Sequence, residues 1–147
     1  MTEHLHDGSD CLYCRLGQET GRDIERRLIH KFGWYAHVVN DDKDCPLGFN
    51  AHTHHVVESF QHPDFQIVLP LEFNRVVSIL HSLVDRVKAG GGFEVGVEYQ
   101  GILQGYQVEF AHRKEGGRQL LRLILPDPSG RTSLLEIGSP YSRQWDL

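Results

Sequence analysis

GFNAHTHHVVESFQHPDFQIVLPL, Gly48 to Leu71, carries four of the ten histidines of this 147-residue chain beside a run that reads as a buried strand. His52 and His54 are two residues apart in a β-favouring segment. In an extended chain they share a face, roughly 7 Å apart along the strand. Two imidazoles so placed can close on one metal ion. Glu58 has the same parity, whereas His55 falls on the opposite face with Phe49, Ala51, Thr53 and Val57. The first candidate metal set is therefore His52, His54 and Glu58. The spacing predicts one strand over Phe49 to Val57 and a second over Phe65 to Leu69. The second has a near-continuous apolar character that suits burial on both faces, bounded by His62-Pro63-Asp64 and Pro70. His62, just before Pro63, reads as a turn residue.

Working outward, the next element is the best-defined in the chain. Phe73, Val76, Val77, Leu80, Leu83, Val84 and Val87 trace a wide apolar stripe at helical spacing. Glu72, Arg75, Ser78, Ser82, Asp85 and Lys88 lie opposite. This predicts a core helix over Leu71 to Lys88, stopped by Ala89 and the glycines 90–92, with His81 at the stripe's border. The triple glycine neither follows a strand nor opens a helix, so it is not a phosphate-cradling loop. Beyond it the period changes to two: Phe93, Val95, Val97 and Tyr99, then Tyr106, Val108 and Phe110. An antiparallel hairpin is expected, turning near Gly101 and Gly105. Gln119 to Leu125 fits a strand or a short helix, and the sharp turn at Pro126-Asp127-Pro128-Ser129-Gly130 immediately after it favours the strand. The tail from Thr132 to Leu147 carries Trp145 and is expected to dock on the domain or on a partner.

On the other side, Ile24, Leu28 and Phe32 recur every four residues, predicting a helix over Asp23 to Phe32 that ends at Gly33. A strand follows from Trp34 to Val39, with Tyr35, His37 and Val39 on one face and Trp34, Ala36 and Val38 on the other. Asn40 to Asp44 is a polar turn that lacks the spaced ligands and central glycine of an EF-hand. Cys45 beside Pro46 has no motif placing a base next to it, so no nucleophile is assigned.

The chain opens with a second cluster. His4, His6, Cys11 and Cys14 supply four ligands within eleven residues, and Cys-x-x-Cys is the usual thiolate half of a tetrahedral zinc site. No second pair follows at a zinc-ribbon distance. Thioredoxin-like redox use would need a strand before the motif.

Composition narrows the function classes. A net charge of -5 without a long basic run argues against nucleic acid as a partner. No apolar run approaches the roughly 20 residues of a membrane span, and the polar N-terminus has no signal-peptide core. A cytoplasmic protein is the expectation, with reduced thiols rather than disulfides. The length suits a single domain, with a Cys/His-bearing segment at 1–20, a core at 21–131 and a tail at 132–147.

The order of helix, Gly33-Trp34 strand, acidic loop and Gly48-Phe49, then Phe60-Gln61-His62-Pro63-Asp64-Phe65 and Leu69-Pro70, continues through Arg86 to Gly90 and a late Pro126-Asp127 with Gly130-Arg131. Over roughly residues 11 to 131 this resembles the bacterial domain-of-unknown-function family 4262. The resemblance implies a small α+β protein, often with a Cys-rich N-terminal segment that Cys11 and Cys14 match, and no assigned activity. Family members usually carry a Tyr-Thr-Val-Gly-Leu-type run after the Gly-Phe pair. Here Asn50 to Val56 reads NAHTHHV, so the histidine cluster stands apart from the resemblance.

The expected fold is α+β: a mainly antiparallel sheet with two helices, the longer one packed on it. Three functional classes follow. The first is a zinc protein with a structural metal held by Cys11 and Cys14, helped by His4, His6 or the central histidines. The second is a non-enzymatic interaction module, in a defence or toxin-neutralising setting, whose partner is a protein, a small molecule or a second copy of the chain. The third is a metal-dependent hydrolase using His52, His54 and Glu58, which needs an open metal position, a base and a cleft.

Overall fold

A computed structural model describes residues 21–147. His4, His6, Cys11 and Cys14 lie outside the described residues. The chain runs α1 (Gly21–Phe32), β1 (Tyr35–Asn40), β2 (Phe49–His54), α2 (Val56–Phe60), β3 (Asp64–Ile67), α3 (Phe73–Lys88), β4 (Tyr99–Leu103), β5 (Tyr106–Glu115), β6 (Arg118–Ile124) and a 3-10 turn at Tyr141–Trp145. Six strands form one sheet in the order β1-β2-β3-β6-β5-β4. Every neighbouring pair is antiparallel except β3 with β6. The expected α+β architecture is what forms, with β3 and β6 in its centre.

Alternation sorts the side chains onto two faces. Trp34, Val38, Phe49, Ala51, Phe65 and Ile67 join the buried stripe of α3, namely Val76, Ile79, Leu80, Leu83, Val84 and Val87, in one apolar core. Each buried Val, Leu, Ile or Phe among them contributes roughly 1.5–3 kcal/mol of transfer free energy. The opposite face carries a polar row, with Leu120 and Ile124 buried beside it. Register places His37 opposite His52, His52 opposite Gln66, Gln66 opposite Arg122 and Arg122 opposite Ala111, a single row across five strands.

Boundaries moved where backbone geometry intervened. β2 stops at His54 rather than Val57, because His55 takes φ 78°, a left-handed conformation, and turns the chain into the short helix α2. The strand expected from Phe93 to Tyr99 does not form. Gly96 at φ 87° breaks the extension, Phe93 and Tyr99 anchor the loop in the core, and Val95 and Val97 stay exposed. The hairpin therefore starts at Tyr99 and turns at Gln104-Gly105. His62 does sit in a bend and is also buried. Its Nδ1 donates to the Pro63 carbonyl at 2.9 Å, and its Nε2 accepts from the Phe93 amide at 3.1 Å.

The tail docks on the polar face. Gln144, fully buried, exchanges two hydrogen bonds with the Leu125 backbone, at 2.8 and 2.9 Å, and Trp145 donates its indole N–H to the Thr132 carbonyl at 2.9 Å. No helix among the described residues is long and apolar enough to cross a membrane.

Candidate metal centre

The β1–β2 hairpin builds the centre. His37 faces His52 directly and Tyr35 faces His54. Because directly opposed residues point to the same side, the three imidazoles converge. Ring centroids lie 4.7 Å apart for His37 and His54, 4.8 Å for His52 and His54 and 5.7 Å for His37 and His52. One ring nitrogen from each lies within 4.8 Å of the other two. A zinc ion bonded at ~2.0–2.1 Å brings tetrahedral nitrogens to about 3.3 Å, so small side-chain rotations close the set. Tyr35 stacks on His54 at 4.9 Å and 14° and walls that side.

Hydrogen bonds to groups that can only donate or only accept fix the tautomers. The Glu25 carboxylate accepts from His37 Nε2 at 3.1 Å, leaving Nδ1 as that ring's lone-pair nitrogen. Asn50 Nδ2 donates to two carboxylates, Asp42 at 2.9 Å and Glu115 at 2.7 Å. Its Oδ1 must therefore be the atom facing His52 Nδ1, at 3.0 Å. His52 carries its proton on Nδ1, and Nε2 is free to bind. The same Oδ1 accepts from Gln66 Nε2 at 3.1 Å, and Gln66 Oε1 accepts from Arg122 Nε at 2.8 Å. Each orientation in this chain is determined from its ends. Oxygen acceptors on the outer nitrogen are what orient metal-binding histidines and raise their basicity.

His54 is different: its Nε2 is buried with no hydrogen-bond partner. An orphaned buried nitrogen costs ~1–3 kcal/mol unless something occupies it. Burial, first of all, pushes His52 down to about 4 and His54 down to about 3. Both rings are therefore neutral over the ordinary pH range, the form in which imidazole binds metals. Burial and then the Glu25 charge push the Tyr35 hydroxyl up to about 12. Arg118 adds positive charge nearby, and it is tied to Asp64 at 3.2 Å and Glu115 at 3.7 Å.

Of the residues singled out in the sequence, the structure brings His52 and His54 together and adds His37. Glu58 stands exposed on α2, outside this group, because the strand that gave it parity ends four residues earlier. His37 was legible as a face residue of β1, but only pairing register shows which strand it faces. Cys45 lies at the polar face near Asp42, and burial pushes its thiol up to about 12, far from a reactive thiolate. The acidic loop contributes Asp42 as an acceptor for Asn50.

A family model described as a domain of unknown function, DUF4262, matches residues 28–118, more than half of the chain. The chain belongs to the DUF4262 family. All three imidazoles, Asn50 and Glu115 fall inside the DUF4262 span, while Glu25, Arg122 and the tail that Arg122 holds lie outside it. No curated protein and no solved structure matches the chain.

Proposed function

We propose that this DUF4262 protein binds a divalent transition metal, zinc foremost, through His37, His52 and His54. The observation that carries the reading is a close set of three ring nitrogens, one from each imidazole, in a cluster where two of the rings are held in one tautomer. His37 and His52 are pinned by Glu25 and Asn50, and the third ring presents a buried nitrogen that nothing else uses. Neutral imidazoles suit zinc, copper, nickel or iron. Three protein ligands leave one tetrahedral position. A thiolate from Cys11 or Cys14, or an imidazole from His4 or His6, would close it as a structural site. Water there would make it an open site of the kind that supports hydrolysis.

The test is elemental mass spectrometry on untagged, full-length protein purified without chelator. About one metal ion per chain is expected, lost in His52→Ala and His54→Ala. Combining Cys11→Ser and Cys14→Ser with His4→Ala and His6→Ala separates the two versions: lost metal and a lower melting temperature indicate a closed site, retained metal an open one. Metal-free wild-type protein, or full metal content in both histidine variants, would overturn the proposal.

A further inference from the structure

Beside the histidine cluster, on the same polar face, lies a cavity of about 750 Å³. That is the size of a site for a small metabolite. Asn50, Gln66 and Arg122 line it and are buried at 2, 3 and 4 % exposure; Arg113 and Glu115 line it too. Arg122 and Arg113 sit on adjacent strands and share the face, since Arg122 pairs with Ala111 two residues from Arg113. Burial first, and then the Arg113 charge, hold Arg122 down to about 10.

Buried charges are ordinarily paired. Buried Arg122 and half-buried Arg113 make no direct ion pair among the described residues; Asp146 acts on both, and Glu115 on Arg122, from beyond contact distance. Their partners are neutral oxygens. Arg122 Nε donates to Gln66 and its Nη1 to the Gln144 and Asp146 carbonyls; Arg113 donates to the carbonyls of His112, Trp145 and Asp146. These bonds orient both guanidinium groups without neutralising them. Arg122 Nη2 makes no hydrogen bond to a described residue. The neighbouring carboxylates are engaged elsewhere: Asp42 with Asn50, Glu115 with Asn50 and Arg118, and Asp146 with Arg143 at 2.8 Å. Asp44, an exposed carboxylate at the rim, is the exception.

We infer that this cavity binds a small molecule through an oxyanion group, a carboxylate or a phosphate, held by Arg113 and Arg122. Planar guanidinium groups match both geometries, and an anion between them supplies a counter-charge in direct contact. The inference goes beyond the metal reading and does not depend on it, because none of the groups that hold the anion is a proposed metal ligand.

The experiment is an NMR titration of full-length protein with inorganic phosphate and, separately, acetate, against sodium chloride at matched ionic strength. The resonances followed are the side-chain amides of Asn50 and Gln66 and the Nε–H of Arg122. Saturable shifts with phosphate alone, with acetate alone or with both support the site and name the group it takes. Arg113→Gln, which removes one charge from a half-buried position, should weaken the affinity roughly tenfold while leaving distant amide resonances in place. Shifts that do not saturate, that chloride reproduces or that Arg113→Gln leaves unchanged would overturn the inference. So would a response that disappears when the protein is treated with chelator, since that would put the anion on a metal.

Discussion

The two faces of β2 follow different rules. Phe49 and Ala51 point into the apolar core under α3, where any well-packed shape of the right volume suffices. Asn50, His52 and His54 point the other way, into a setting where every polar atom needs a particular partner. The apolar face is tolerant and strong. The polar face is exacting, because one wrong donor would strand a buried group, and its chain of fixed hydrogen bonds runs from His52 through Asn50 and Gln66 to Arg122. Such a network is a costly way to fill a sheet face and a good way to hold imidazoles in one tautomer.

The largest expected effect lies on the apolar face. Leu83→Ala should cost about 3–4 kcal/mol in denaturant unfolding, because Leu83 is fully buried at the centre of the α3 stripe. Any loss of metal should then track unfolding. His54→Ala should do the reverse, lowering metal affinity by about 100-fold or more in calorimetric titration. The metal-free fold should barely change, because the substitution removes an orphaned nitrogen. Equal damage to metal-free stability would erase the distinction between the faces.

Acid should act on the polar face alone. His52 and His54 have folded values of about 4 and 3, below the ordinary 6.5, so the unfolded chain binds the extra protons. The stability that goes with the neutral rings is complete above about 6.5 and declines as the pH falls toward 4 and then 3. For His52 the loss is at most ~3 kcal/mol. Denaturant curves of metal-free protein across that window should show the decline, and His52→Gln should flatten it. A smaller effect is expected at Asn50→Leu, which releases His52 Nδ1 and should weaken metal binding roughly tenfold. The smallest is at Glu58→Gln: metal content unchanged, since Glu58 is exposed on α2. A drop in metal content there would restore the strand-parity reading.

Much of this molecule is legible in its residues. β6, buried on both faces, is read as a strand only from the sharp turn that follows it, whereas the period-3.6 stripe of α3 and the β5 alternation are read from local pattern, because burial on one side of a regular element imposes it. So is the pairing of His52 with His54 on one face, since two-residue spacing in a strand has that consequence wherever the strand lies. Tertiary structure alone decided the rest. His37 joins the centre by the register of β1 against β2, and Glu25 reaches it from a helix twelve residues earlier. Glu58 leaves because the left-handed turn at His55 ends the strand. Arg113 and Arg122 meet on one face through the β5–β6 register, and the tail folds back to offer both of them carbonyls. Periodicity states which side of an element a residue takes, whereas a metal centre or an anion pocket is made by neighbours distant in sequence, and long-range pairing selects those.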